Sequence, residues 1–468
     1  MIWHIAKREL YDNLNSLRFA LTTVLLLSLM LTNAVVHLRE QPARIQKYLT
    51  FAADARNTLE ARADSLYELA QKGPGQLHKK PSALHFCAQG GDPFLSGAVE
   101  THHYFWENFS EDLNLKSFWQ MRYPAATSNL INIRPDVTKI DWAFIIGYVL
   151  SLIALLFTFD AVAGERESGT LRLMLANSVP RHTVLIGKFL GALMSISIPF
   201  ALSVLINLLV LSTSSTVYLG ADAWGRLGII FFVALLYTCL FLALGLLVST
   251  RVQRSAVSLV MLLLTWVTLV VFMPSVLALI ASGFSAPMSN DELRVLQKQI
   301  NDKHLKEYQR SKPRSEILHA GSKYVVQEAA EQERLIEKRL DEQVAQVQHA
   351  RSITRISPTA VLQHLLESFA GTGFERHLQF LENAQRYASE YRKFIVDTDR
   401  GDPESLHLIG VRRAMSQKPV SPESIPIFED TISLNKDFNT AAMDLLLLTL
   451  FFVVLLSGAY LAFVRVEV

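Results

Sequence analysis

Residues 160–188 read DAVAGERESGTLRLMLANSVPRHTVLIGK and form a charged segment between two long apolar runs, 142–159 and 183–211. Apolar runs of roughly 20 residues are long enough to cross a bilayer as helices. The charged segment must therefore lie at a membrane face, and its basic residues assign that face to the cytoplasm. These basic residues are Arg166, Arg172, Arg181 and Lys188.

The charged segment also carries the pattern of a short helix. Leu171, Met174 and Leu175 fall at positions i, i+3 and i+4 and give such a helix one apolar edge. Residues 168–170 (Ser-Gly-Thr) supply a break and a cap before it, and residues 177–180 end it. A helix of this kind can rest on lipid or dock into another protein. The alternative is a connecting loop with ordinary basic flanks.

The sequence Glu165-Arg166-Glu167-Ser168-Gly169-Thr170-Leu171, followed by Pro180-Arg181 and Gly187-Lys188, resembles the signature of type-2 ABC transporter permeases, the membrane subunits of ABC exporters. In that family this pattern forms the coupling helix, which sits in a groove of a separate ATP-hydrolysing subunit. The resemblance implies an ATPase-subunit contact in this chain. The predicted contact residues are Glu165, Arg166, Glu167, Gly169, Thr170, Leu171, Arg172, Met174, Leu175, Pro180 and Arg181.

A second stretch indicates a subfamily within this family. Residues 357–359 (Ser-Pro-Thr) and 369–377 (FAGTGFERH) resemble a subfamily of these permeases with large extracytoplasmic insertions, related to the permease of nitrous-oxide-reductase maturation. The resemblance implies that ATP and Mg are bound by the partner ATPase subunit, so no cofactor is expected in this chain.

Composition agrees with membrane spans that alternate with polar domains. The 468 residues are 50% hydrophobic and 19% charged, and a uniformly embedded protein would carry fewer charges. A net charge of +2 argues against a nucleic-acid partner, which is usually bound by a concentrated basic face. Cys87 lies in a polar region and Cys239 in an apolar run, so no disulfide is expected.

The predicted fold class is an all-α polytopic membrane protein with six transmembrane helices, a cytoplasmic coupling helix and two extracytoplasmic insertions, the second mainly helical. Both termini are expected in the cytoplasm of a bacterium, and the first apolar run is a signal anchor rather than a cleaved signal peptide because it is too long. The predicted boundaries are an interfacial helix at 1–16, transmembrane helices at 17–37, 141–160, 183–211, 224–249, 256–281 and 441–464, the coupling helix at 161–182, and insertions at 38–140 and 283–440.

Helical periodicity extends into both insertions. It continues beyond the first span as far as residues 73–75 (Gly-Pro-Gly), which end it. The second insertion predicts two long helices separated at Lys312-Pro313, then helices after Pro358 and after Gly373. The second long helix has a narrow apolar seam, which must be covered within the insertion or by a second copy of the chain. The seam residues are Leu335, Leu340, Val344 and Val347.

Sequence patterns of catalysis and metal binding are weak. Gly164 and Gly169 have the spacing of a phosphate-binding loop, but Thr170 stands where its lysine should be. His102 and His103 are adjacent and point to different sides of most backbones, so no metal site is predicted. We predict no catalytic residue.

Polar residues within the apolar runs are few. Asp160, Arg226 and Asp444 lie near the ends of the runs, which disfavours a proton-driven secondary carrier. Asn33 and Asn207 are expected to form hydrogen bonds between helices.

Two functions remain open from the sequence. The first is the permease subunit of an ATP-driven exporter, working with two copies of an ATPase subunit and a second permease, identical or paralogous. The second is a mechanotransmitting subunit that drives a periplasmic partner without moving a substrate across the bilayer. The large insertions, more than half of the chain, keep the second open. Membrane lipid is the remaining expected partner.

Overall fold

A computed structural model describes most of the chain. The described residues are 1–90, 97–102, 120–122, 140–176, 180–214, 219–282, 288–310, 317–432 and 434–465.

Helices dominate these residues. In chain order they are α1 (Ile2–Leu14), α2 (Leu17–Arg62), α3 (Leu66–Lys72), α4 (Trp142–Leu156), α5 (Ala163–Glu167), α6 (Thr170–Ala176), α7 (Arg181–Ser212), α8 (Ala221–Arg251), α9 (Ser255–Trp266, Val267–Phe272 and Met273–Ser282), α10 (Asn290–Arg310), α11 (Ile317–Thr354), α12 (Pro358–Ala370), α13 (Phe374–Arg400) and α14 (Leu434–Val464). Short 3₁₀ turns lie at Arg412–Ala414 and Pro422–Ser424. The chain is an all-α polytopic membrane protein, as predicted.

Five of the described helices are long and apolar enough to cross a membrane: α2, α7, α8, α9 and α14. The remaining predicted span, α4, is shorter than expected, because its helix ends at Leu156 and residues 157–162 form turns. A π-helical turn occupies Ile145–Leu150 within it. Most of α4 is buried by the surrounding helices, so it is covered by protein rather than by lipid.

Asparagines join the membrane helices as the sequence predicts. The Asn207 amide of α7 donates to the Met30 carbonyl of α2 (2.7 Å) and to Asn33 Oδ1 (3.1 Å). The Asn33 amide in turn donates to the carbonyls of Phe86 and Ile140. These bonds satisfy polar groups that would be costly in an apolar interior.

The predicted long helix past the first span is present. Ser16 caps α2 through its side chain, which accepts a bond from the Phe19 N–H, and the helix continues for 46 residues. After a short break α3 follows, and it ends at Gly73, whose φ of 63° lies in the left-handed region that glycine adopts readily.

The two insertions share one hydrophobic core, and we call the part they form the insertion domain. Its core combines Leu59 and Tyr67 from the first insertion with Val325, Phe380 and Tyr391 from the second. A small antiparallel sheet completes it, formed by β1 (Leu77–His78), β2 (Ala98–His102) and β3 (Gln120–Arg122). His102 therefore lies in a strand, whereas His103 is outside the described residues.

The apolar seam of α11 is partly covered within the chain. Leu340 packs against the core of the insertion domain, and Val344 and Val347 pack with Phe374. Leu335, Leu340 and Val344 remain half-buried, so contacts within the insertion cover only part of the seam. The predicted separation at Lys312-Pro313 lies outside the described residues, between α10 and α11.

Helix α12 belongs to the second insertion but lies among the membrane helices. All of its residues, from Pro358 to Ala370, are buried, and they form part of the main membrane core. Ser357 caps its first turn, and Gly371 ends it with a φ of 65°. The sequence predicts this helix but not its depth, because its apolar face looks like that of any domain helix.

Candidate functional site

The charged segment begins with a backbone connection to α8. The N–H groups of Val162 and Ala163 both donate to Ser249 Oγ at 3.0 Å. Ser249 is buried near the last turn of α8. These bonds satisfy two of the N–H groups at the start of α5 that have no partner within the helix. The segment is therefore fixed to one end of α8.

A buried lysine connects three elements at this end of the membrane helices. Lys188 of α7 is 4% exposed, and its Nζ lies 2.6 Å from Glu9 Oε1 of α1 and 2.7 Å from Glu165 Oε1 of α5. Two carboxylates around one ammonium compensate for the cost of burying its charge. Glu165, predicted to contact an ATPase subunit, instead binds within its own chain.

The next two predicted contact residues also bind within the chain. The Arg166 guanidinium donates to the carbonyls of Thr250 and Val252, each at 3.4 Å, where α8 ends. The Glu167 carboxylate accepts bonds from Ser255 Oγ and from the Ser255 N–H at the start of α9. The bond from the Ser255 hydroxyl has the larger effect and the bond from the N–H the smaller one. Both lower the pKa of the Glu167 carboxyl, so it stays ionised.

A glycine turn separates α5 from α6. Gly169 has a φ of 76°, where a side chain would be strained, and the Thr170 hydroxyl donates to the Glu165 carbonyl. In α6, two leucines differ in exposure, and one of them, Leu171, belongs to the predicted apolar edge. Leu171 is only 2% exposed and belongs to the main core, whereas Leu173 is 70% exposed. The side chains of Met174 and Leu175 lie outside the described residues.

Leu171, one of the predicted ATPase contacts, thus faces the core of its own chain. Its side chain is used to anchor α6 to the membrane core, because on a helix this short one face must bind the chain itself. The exposed face is formed by Arg172 and Leu173.

The end of the charged segment contacts the last membrane helix. Pro180 is exposed and precedes α7, and Arg181 starts it. The Arg181 guanidinium donates to the carbonyls of Phe463 and Val464 at the end of α14. A cation at the carbonyl end of a helix is favourable. Arg181 thus joins α7 to α14.

Helix α1 packs directly on α7 because two glycines face it. A Cβ atom at Gly187 would lie 2.7 Å from Ile5 Cγ2, and one at Gly191 would lie 2.5 Å from Glu9 Cβ. The spacing of these glycines allows two helices to approach closely. The sequence contains this signal, yet the roles of Glu9, Ser249 and Gly191 were not predicted.

Within the ranges described above, no group of three or more His, Cys, Asp or Glu residues could hold a metal ion. Of the predicted residues, the structure joins Glu165, Arg166, Glu167 and Arg181 to four helices. What the arrangement can do is pass a displacement of the charged segment to α1, α7, α8, α9 and α14.

Parts of this sequence are similar to those of known proteins. The family model described as ABC-2 family transporter protein matches residues 3–468. The chain is similar to the probable ABC transporter permease protein NosY of Pseudomonas aeruginosa, with 37% identity over 115 residues, which are 23% of this chain and 40% of that protein. It is also similar to the protein of the same name from Stutzerimonas stutzeri, with 39% identity over 67 residues, 14% of this chain and 24% of that protein.

These two matches span less than half of the relatives' length. The family model, by contrast, covers the membrane helices, the charged segment and the insertion domain. The chain therefore belongs to the ABC-2 family of transporter proteins and is the membrane subunit of an ABC transporter.

Proposed function

We propose that this chain is the permease subunit of an ATP-driven exporter in a bacterial inner membrane, coupled through residues 161–182 to ATP hydrolysis in a separate subunit. The observation that carries the proposal is the two-sided arrangement of α6. Leu171 anchors one side in the core, while Arg172 and Leu173 are exposed on the other. A partner that binds the exposed side can displace α6 together with the residues on either side of it, which are bonded to other helices.

The proposed assembly contains two copies of the ATPase subunit and two permeases, identical or paralogous. ATP and Mg would bind to the ATPase subunits. The insertion domain would stand on the periplasmic side, where a further partner could bind it.

A second candidate function is force transmission without transport. It is favoured by the buried ion pair between Arg226 of α8 and Asp437 of α14, with 2.7 Å between Nη1 and Oδ2, which lies where the insertion domain meets the membrane helices. Substrate flux in reconstituted vesicles would favour export. ATPase stimulation by a periplasmic partner without flux would favour force transmission.

Leu173→Asp combined with Arg172→Glu is expected to release the ATPase subunit. Full burial of a leucine side chain contributes about 1.5–3 kcal/mol, so its loss should weaken binding by at least about tenfold. The charge reversal at Arg172 should weaken binding further, because charge complementarity orients the partners at an interface. Co-purification of the ATPase with the detergent-extracted permease measures the effect.

The matched control is Arg251→Glu, which makes the same charge change at another exposed position on this side. It should leave co-purification nearly unchanged. Retention of the ATPase by the Leu173 and Arg172 double variant, at the level of the unmodified chain, would show that α6 is not the contact.

The proposed orientation predicts opposite labelling of two exposed leucines. Leu406 of the insertion domain is 61% exposed and Leu173 is 70% exposed. In a variant without Cys87 and Cys239, a membrane-impermeant maleimide added to intact spheroplasts should label Leu406→Cys and not Leu173→Cys. After lysis both should react. Labelling of Leu173→Cys before lysis would reverse the topology.

A further inference from the structure

We infer that helix α12 transmits displacement of the charged segment to the insertion domain, with Tyr237 of α8 and Arg226 as the residues that position it. This inference rests on the proposed function, and it assigns the transmission to α8 and α14 together with α12. Nothing in the chain's connectivity requires this path, because α8 is not covalently joined to the insertion domain.

The deep end of α12 is bonded to the middle of α8. Tyr237 is buried, and its hydroxyl lies 3.2 Å from the Gly147 carbonyl and 3.1 Å from Thr359 Oγ1. A phenol has one proton, and the carbonyl can only accept. Tyr237 therefore donates to Gly147, and Thr359 donates to Tyr237. One side chain joins α8, α4 and α12.

The other end of α12 is bonded to the same helix. The Arg226 guanidinium donates to the Phe369 carbonyl in the last turn of α12 at 3.3 Å. The two attachment points are ten residues apart on α12 and eleven apart on α8, which corresponds to about 15 and 16 Å of helix. The lengths agree, so α12 lies antiparallel along α8 and is held at both ends.

The helix α14 completes the attachment. Asp437 in its first turn pairs with Arg226 and accepts a bond from the Gln379 amide of α13. Seven residues further along α14, Asp444 pairs with Arg355 (2.6 Å between Oδ1 and Nε) in the turn that precedes α12. Helices α8, α12 and α14 are thus linked by buried polar contacts at several levels.

The same two helices hold the charged segment at their opposite ends. Ser249 and Thr250 of α8 bind α5 and Arg166, and Arg181 binds the last carbonyls of α14. A rigid helix carries a displacement along its length. The path therefore runs from the charged segment through α8 and α14 to α12, and from α12 to α11 and α13.

Burial favours α8 over α9 as the carrier. The apolar window of α8 is 61% buried inside the chain, whereas that of α9 is 17% buried. A helix enclosed by protein must move with its neighbours, because packed interiors have few voids. A helix with mostly free surface can shift without displacing them. This comparison favours the contacts of α8 over the chain connection through α9. The apolar window of α14 is also 17% buried, so α14 takes part through the ion pairs of Asp437 and Asp444 rather than through enclosure by protein.

Hydrogen–deuterium exchange of the full chain in nanodiscs, without nucleotide, tests the inference through a double-mutant cycle. Ser249→Ala removes two of the hydrogen bonds between α5 and α8 and should change the exchange rate of α13 amides by at least about fivefold, the lower end of the range typical of coupled sites. Tyr237→Phe removes only the hydroxyl and should reduce that response, while the attachment through Arg226 remains. Tyr148→Phe, the same change at a half-buried position in α4, should preserve it.

Two results would overturn the inference: no response of α13 to Ser249→Ala, or a response of equal size in the Tyr237→Phe background. A second variant, Arg226→Gln with Asp437→Asn, checks the other attachment and should also reduce the response. These measurements need no ATPase. Repeating them on the assembled complex with a non-hydrolysable ATP analogue tests the proposed function separately, through protection of α6.

Discussion

Replacing Lys188 with methionine is expected to destabilise the chain by about 3 kcal/mol, because two carboxylates lose their shared cation. Lys188 is 4% exposed, whereas the side chains of Glu9 and Glu165 are 29% and 22% exposed. The carboxylates are thus partly solvated, which places the effect at the lower end of the range for broken buried pairs. Thermal unfolding of the purified chain in detergent measures it.

The compensating variant separates charge from packing. In Lys188→Met with Glu9→Gln and Glu165→Gln, no unpaired carboxylate remains and the methionine fills much of the lysine's volume. Most of the lost stability should return, since apolar replacements of buried ion pairs are often neutral. If the triple variant is as unstable as Lys188→Met, the lysine acts through packing and the ion-pair interpretation is wrong.

The same residues should matter for coupling as well as for stability. The triple variant keeps the fold but loses the bonds that join α1, α5 and α7. ATPase activity in such a complex should become less dependent on the permease. Gly191 supports this arrangement, because only a glycine there allows α1 to approach α7 closely enough for Glu9 to reach Lys188.

The sequence predicts the elements well because their signals are local. Ser357-Pro358 and Gly373 are start signals for α12 and α13, and the structure confirms both helices. Membrane spans depend only on the length and hydropathy of a run. The exception is α4, where enclosure by other helices removes the need for a full-length span, a fact that no local pattern contains.

The contacts of the candidate site could be predicted less well. Periodicity identifies the apolar edge of α6 but does not say whether Leu171 faces the core or a partner, since both surfaces are apolar. The charged residues Glu165, Arg166 and Glu167 look like surface residues. Their partners, Lys188, Thr250 and Ser255, come from three other segments. Only the tertiary structure brings them together.

The depth of α12 could not be predicted for the same reason: it depends on contacts with distant parts of the chain. Its sequence is apolar with a few polar residues, and Thr359 and Gln363 give no sign that they face membrane helices. What sets its position is Arg226, a charged residue that the sequence places merely near the end of a span. In the structure this residue is buried and holds two helices.

The ion pairs of Arg226 provide a test with its own internal control. Arg226 binds Asp222, whose side chain is 61% exposed, and Asp437, whose side chain is 2% exposed. Arg226→Met leaves the Asp437 carboxylate buried without its cation. We expect a loss of about 3–5 kcal/mol, the range for a broken buried pair. Asp222→Asn should cost less than about 1 kcal/mol, since exposed pairs contribute little.

The double variant Arg226→Met with Asp437→Leu decides between two roles of the pair. If the pair serves only stability, the apolar replacement should restore it, and the insertion domain should behave as in the unmodified chain. If the pair positions α12, as we infer, thermal stability should return while the response of α13 to Ser249→Ala stays diminished. Thermal stability and the exchange response of α13 can separate because they depend on different properties of Arg226. Methionine can fill the space of Arg226, but it cannot donate to the Phe369 carbonyl at the end of α12.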